Sequence, residues 1–264
     1  MPKAASKSAA KASATTPVMW KELTAADLRE LATRGATVIL PVASMEQHGP
    51  HLPVGVDTIL CEGVCKLAAE ALQNEMPIVV APTLWCGMAE HHMEYGGTFT
   101  FDLPTYRAVL MAFLKSIARH GFKHVFIVNG HGGNISALAA FLPDFAVETG
   151  LTIRTTTYFE LAQPAMPAIL EDQERVRHAC EGETSLMMSL APDLVRHDKL
   201  PEAHGPKNST PRPLGVGLYR SYRSFSESGV VGDARRATKD KGDKLAIVCR
   251  DALVAVLRDK AAWG

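Results

Sequence analysis

The chain lacks a net charge, a disulfide-compatible cysteine pattern and any long apolar run. Its 28 Lys and Arg residues balance 28 Asp and Glu. Three of the basic residues, Lys3, Lys7 and Lys11, lie in 1–17, where no acid occurs, so the remainder carries a formal charge of −3. There is no basic stripe, and nucleic acid is therefore not an expected partner. No segment approaches the 18 consecutive apolar residues of a membrane span, so no membrane partner is expected either. Five cysteines, an odd number in 264 residues, argue against a disulfide framework and for a reducing, cytoplasmic setting. Cys61 and Cys65 are four apart, with no second pair at zinc-finger spacing, and read as small buried apolar residues. Residues 1–17, made of Lys, Ala, Ser, Thr and Pro after Met1, lack a signal-peptide core and read as a disordered tail. One domain is expected over 18–264.

What is present is an alternation of apolar runs and amphipathic segments. Thr24 and Asp27 form a capping-box pattern before a helix that stops at Gly35. Thr37–Val42 is a β-favouring run, and Asp57 or Thr58 can cap a helix reaching Asn74. Pro77–Pro82, Phe122–Val128 and Leu151–Tyr158 are further strand candidates. Helices are predicted over Pro104–His120, Asn134–Thr149, Glu183–Leu190 and Asp240–Lys260, with Asn134 capping the second of these. Apolar strands alternating with helices predict an α/β fold, a three-layer α/β/α sandwich with a mainly parallel sheet. In such sheets ligands bind beyond the carboxyl ends of the strands. The connections 43–57, 83–103, 129–134, 159–182 and 200–238 are therefore the places to look.

Seven of the ten histidines fall in these connections: His204, read as a surface residue, and His48, His51, His91, His92, His131 and His178. Glu46, His48, His51 and Asp57 crowd into twelve residues directly after the first strand. Glu46 and His48 are two apart and point the same way from an extended backbone. The third strand ends in Asn129-Gly130-His131-Gly132-Gly133-Asn134, where the glycines let the backbone approach a ligand closely. The turn lacks the Lys-Ser/Thr ending of a phosphate loop. Imidazole mixed with carboxylate favours zinc, manganese or iron over calcium or magnesium. Two such ions sharing a carboxylate can activate a water and polarise a carbonyl.

These segments carry a resemblance. Glu46-Gln-His-Gly-Pro-His-Leu-Pro53 followed by Asp57, then Asn129-Gly-His-Gly-Gly-Asn134, His178-Ala-Cys-Glu-Gly-Glu-Thr-Ser185 and Gly229-Val-Val-Gly-Asp-Ala-Arg-Arg-Ala-Thr238, resemble the creatininase family of amidohydrolases. The likeness runs from about Trp20 to the end. It implies a creatininase-like fold, two divalent metal ions per subunit (Zn, Mn or Fe) and a homohexamer. It implies metal ligands at Glu46, His48, Asp57 and His131, with Asp57 bridging, and catalytic residues at His178 and Glu183. The loop with Glu90, His91 and His92 would border the substrate. True creatininases read His-Tyr-Glu-Asn where this chain has His131-Gly132-Gly133-Asn134. The family's Tyr contacts substrate there and its Glu binds the second metal, and Gly132 and Gly133 can do neither. The Gly-Gly form is more similar to members acting on other amides, among them formamidopyrimidine deformylases and the peptidase that trims the mycofactocin precursor.

The expectation is a hydrolase acting on C–N bonds other than peptide bonds, which cleaves a small-molecule, cyclic amide with metal-activated water. His178 would protonate the leaving nitrogen. A formamide deformylase or short-peptide hydrolase on the same centre is the alternative, and a non-catalytic metal or ligand-binding protein is the reading from another class. His51 is expected to support a ligand rather than bind metal, and Cys180 has no base placed to make it a nucleophile. Tyr219–Tyr222 suits a subunit interface. The basic run Arg235, Arg236, Lys239, Lys241 reads as a solvated helix start.

Overall fold

The computed structural model describes residues 17–207, 217–259 and 261. The tail expected over 1–17 lies outside the described residues except for Pro17, as does most of the loop between His204 and Gly217.

Four strands form one parallel sheet: β1 (Thr37–Val42), β2 (Ile78–Val80), β3 (His124–Asn129) and β4 (Thr152–Thr157), in the order β2-β1-β3-β4. β1 is central, and it pairs with β3 from Thr37↔His124 to Val42↔Asn129. Parallel neighbours need crossovers, and helices supply them. α1 (Ala25–Thr33), α3 (Leu103–Arg119) and α4 (Ile135–Thr149) cover one face of the sheet, while α2 (Val56–Leu72), α6 (Glu181–Leu190) and α7 (Lys239–Arg258) cover the other. α5 (Tyr158–Leu161) is a single turn after β4.

β1 is buried along its whole length because both faces are covered. Val38, Leu40 and Val42 pack with Leu110 and Phe141, whereas Ile39 packs with Leu60, Leu186 and Leu253 on the opposite side. The predicted α/β/α sandwich is the observed one. The Thr24–Asp27 capping box is present, Asp102 caps α3, and Pro104 sits in its first turn.

Two local expectations change. Gly55, not Asp57 or Thr58, occupies the cap of α2, so Asp57 lies in the first turn with its carboxylate free for other use. Asn134 occupies the cap position of α4, but its side chain makes no capping bond. Its Oδ1 accepts from Met88 N at 3.0 Å, and its Nδ2 donates to Ala43 O at 3.1 Å and Asn129 Oδ1 at 3.2 Å. It thereby ties together the loops that leave β1, β2 and β3. Gly130 N donates to Val42 O at 2.8 Å, which holds the turn after β3 against the end of β1.

Candidate metal centre

The carboxyl ends of β1 and β3 deliver Glu46, His48 and His131 to one place, the first turn of α2 adds Asp57, and the first turn of α6 adds Glu183. All five are buried. Oδ1 of Asp57 lies 3.2 Å from His48 Nε2, and Oδ2 lies 3.1 Å from His131 Nδ1. One carboxylate therefore faces both halves of the cluster. His131 Nδ1 is also 3.0 Å from Glu46 Oε2, and His48 Nε2 is 3.7 Å from Glu183 Oε2.

Each imidazole is oriented from behind. His131 Nε2 meets the main-chain oxygen of Met88 at 3.1 Å, and His48 Nδ1 meets that of Glu46 at 3.0 Å. A carbonyl only accepts, so these nitrogens carry the protons. The opposite nitrogens, His131 Nδ1 and His48 Nε2, then present lone pairs to the cluster. This backing of a ligand imidazole by a carbonyl is characteristic of metal sites.

The donors suit two divalent ions. Glu46 Oε2, Asp57 Oδ2 and His48 Nε2 are buried without a hydrogen-bond partner among the described residues. Such atoms are costly unless something binds them. The groups His48–Asp57–Glu183 and Glu46–His91–His131 each place one ligand atom per residue within 4.8 Å of the others. Together with the carboxylate of Asp57 between them, they form a candidate binuclear metal-binding site. The mixture of oxygen and nitrogen donors fits zinc, manganese or iron.

Charge in the cluster reflects this crowding. Burial raises Glu183 to about 8 and also raises Glu46. Burial disfavours the charged form of His48, but Asp57, Glu183 and Glu46 overcome it and bring the ring to about 9. Three carboxylates in a buried place hold protons on their histidine neighbours where a cation would otherwise serve.

His178 lies on the segment entering α6. Its Nε2 donates to the main-chain oxygen of Gln47 at 2.7 Å, which leaves Nδ1 3.4 Å from Glu46 Oε1. The next residue, Ala179, has φ +52°, a conformation unfavourable for alanine, and its N–H donates to Glu183 Oε2. This bend places His178 and Glu183 on the same side. Burial and the charge of His48 hold His178 well below the ordinary histidine range. At the base of α6, Glu181 is buried and accepts from Glu171 N, Asp172 N and Lys241 Nζ, the last at 2.6 Å. Lys241 is thus an anchor for this segment rather than part of a solvated helix start.

His91 and His92 come from the short helix Glu90–Tyr95, and both reach the cavity. His92 Nε2 lies 3.3 Å from Glu46 Oε1, and its Nδ1 is 3.0 Å from Gln47 Nε2. Glu90 is exposed and does not join them. His51 pairs with Thr184 Oγ1 at 2.7 Å and stands behind the ligands. The Cys180 thiol is fully buried and pushed up to about 12 by that burial, unsuited to nucleophilic attack.

Two participants are absent from the sequence reading. Gln47 sits between Glu46 and His48, pointing away from the metal side. It binds His92, the oxygen of Gly229 at 3.2 Å and the N–H of Gly49 at 2.9 Å. Alternation along an extended backbone was the available signal. Tyr222, read above only as suited to a subunit interface, lines the cavity, with its ring 4.2 Å from that of His92 and 5.1 Å from that of His178. No spacing in the sequence connects it to the cluster.

Above these side chains opens a cavity of about 990 Å³. Gly132 and Gly133 form part of its wall, and a Cβ on Gly132 would meet nothing within 4 Å. Among the described residues no helix is long and apolar enough to cross a membrane.

Comparison with known proteins agrees with this geometry. The creatininase family, described as creatinine amidohydrolase, matches residues 21–257. A mycofactocin precursor peptide peptidase of Mycolicibacterium smegmatis is 30% identical over 221 residues, 82% of each chain. A creatinine amidohydrolase of Pseudomonas putida is 27% identical over 259 residues, 91% of this chain and 94% of that one. A creatininase crystal structure superposes with a TM-score of 0.80 at 24% identity, covering 92% of this chain and 97% of the other, which shows the shared fold. The likeness to a peptidase overturns two expectations, the restriction to non-peptide C–N bonds and the small-molecule amide as partner. The physical counterpart is the open wall at Gly132, where a Cβ would meet nothing within 4 Å, on a cavity of about 990 Å³, more room than one small ring fills.

Proposed function

The chain belongs to the creatininase family, and on that premise we propose that it is a metal-dependent peptidase that hydrolyses an amide bond in a short peptide. The observation that carries the reading is the union of the donor cluster with a cavity of about 990 Å³. That volume is at the upper end of the roughly 300–1,000 Å³ typical of small-ligand pockets. The walls carry both signs of charge, with Arg175, Arg177 and Lys207 beside Glu160, Asp172 and Glu174. Such walls match the backbone and charged groups of a peptide better than a compact neutral ring. The peptidase relative supports the same reading.

In this proposal Glu46, His48, Asp57, His131 and Glu183 would hold two divalent ions. When bound, they would supply Lewis acidity toward the scissile carbonyl and lower the pKa of a water to about 7. His178 carries the proton. Its Nε2–H stays on the Gln47 oxygen, so only Nδ1 faces the reaction. Nδ1 takes a proton as the water oxygen bonds to the carbonyl carbon. It returns that proton to the nitrogen as the C–N bond breaks, leaving an amine and a carboxylic acid that releases the water's second proton to solvent. Glu183 orients this segment through the Ala179 N–H. Tyr222 covers the rings of His92 and His178 from the cavity side.

The test is incubation of the metal-loaded protein with a panel of short peptides in ¹⁸O-labelled water, read by mass spectrometry. Cleavage with one labelled oxygen in the new carboxylate is expected. Peptide binding without cleavage would replace the enzyme by a binding protein. An oligomer is part of the same proposal. The exposed rings of Trp85 and Phe99 meet edge to face at 5.5 Å and offer apolar surface to a second copy, which light scattering would detect.

A further inference from the structure

Gly133 has an unusual neighbourhood. A Cβ built there would lie 2.3 Å from the main-chain oxygen of Met88, 2.4 Å from His131 Nε2 and 2.9 Å from His91 Cε1. These separations are far inside van der Waals contact, and the first involves backbone. Only glycine lets the Met88–His91 segment approach the turn after β3 this closely.

The consequence is the position of His91. Its ring stacks on that of His131, 5.5 Å between centroids and 14° from parallel, and Tyr222 flanks it at 5.4 Å. Among the described residues neither ring nitrogen of His91 has a hydrogen-bond partner, in contrast to His48, His51, His92, His131 and His178. One of these nitrogens lies within 4.8 Å of the ligand atoms of Glu46 and His131. A cavity-facing imidazole held between two rings, with both nitrogens free, beside a carboxylate and an imidazole that share its target, has the properties of a ligand rather than of a loop residue.

We infer that His91 is a metal ligand, completing the second ion's shell with Glu46, His131 and Asp57 in the space that Gly133 leaves open. The inference rests on the binuclear reading of the centre. It makes the two positions unequal. One has two imidazoles and two carboxylates, and the other has His48 with Asp57 and Glu183. The nitrogen-richer position has the greater preference for zinc over manganese.

The experiment is metal stoichiometry and affinity of the full chain, measured by equilibrium dialysis against zinc and elemental analysis for wild type, His91→Ala, His91→Asn and His92→Ala. Wild type should hold two ions. Both His91 variants should keep one tightly and bind the second at least tenfold more weakly. His92→Ala should retain two. Circular dichroism establishes that each variant is folded, and the d–d absorption of the cobalt-loaded protein reads the lost nitrogen without reference to activity. Two ions at unchanged affinity in both folded His91 variants would overturn the inference and leave the binuclear reading standing. Fewer than two ions in wild type would overturn both.

Discussion

His178 donates from Nε2 to the main-chain oxygen of Gln47 at 2.7 Å, and this bond turns Nδ1 toward Oε1 of Glu46 at 3.4 Å. The acceptor is backbone, so the orientation of the ring is tied to the path of the loop after β1. If His178 is the proton carrier, His178→Ala lowers kcat by about 10²- to 10⁴-fold. The metal content should stay at two ions by elemental analysis. A fall in metal content would instead make His178 a ligand beside Glu46 and His48, a grouping its position also permits.

The side chain of Gln47 joins His92 and the Gly229 oxygen, and its Nε2 also lies 2.9 Å from His178 Nε2. Gln47→Leu keeps the backbone bond to His178 but leaves the buried His92 Nδ1 and the Gly229 carbonyl unpaired. A loss of about 1–3 kcal/mol in unfolding free energy is expected for stranding such groups. Denaturant titration measures it.

Asp57 faces both halves of the centre, 3.2 Å from His48 and 3.1 Å from His131. Asp57→Ala should therefore release both ions, whereas Glu183→Ala should weaken chiefly the ion beside His48. Elemental analysis after dialysis distinguishes the two patterns. Equal loss in both variants would argue against separate positions.

Gly132 and Gly133 are adjacent but not equivalent. Gly132→Ala adds a methyl to open space and should leave thermal stability and metal binding near wild type. Gly133→Ala forces the Met88 oxygen and two imidazoles apart, and overpacking of this kind costs about 1–3 kcal/mol. Its melting temperature should fall, with weaker metal binding. Indistinguishable behaviour of the two variants would count against the close approach at Gly133.

His51 sets an acid limit. Burial, and then the charge of His48, lower its ring from 6.5 to about 4. The unfolded chain binds a proton there at higher pH than the native chain does. The stabilisation is therefore complete above pH 6.5 and is lost as pH falls toward 4, on the order of 3 kcal/mol in all. The difference in unfolding free energy between wild type and His51→Gln should shrink between pH 7.5 and pH 4.5. A difference independent of pH would mean that His51 is not held neutral.

The sequence by itself determined the local elements and most of the donors. β1 was legible from Thr37 to Val42, because a run buried on both faces has to be continuously apolar. α1 and α3 announced their starts through Thr24, Asp27 and Pro104, whose signals lie within a few residues of each helix start. Glu46, His48, Asp57 and His131 stood out because parallel strands bring their carboxyl ends to one edge. Only the tertiary structure decided how those donors divide. It put Asp57 between two histidines, brought His91 against His131 through the bare Cα of Gly133, and carried Tyr222 from a distant loop over His92 and His178. It also replaced the expected cap at Asn134 with a three-loop tether and left Glu90 in solvent. These relations join residues up to 130 positions apart, as between Tyr222 and His92. No periodicity encodes such distances. They arise from the packing of loops over the carboxyl ends of an open parallel sheet, where sterics at single atoms decide which side chain reaches the donor cluster.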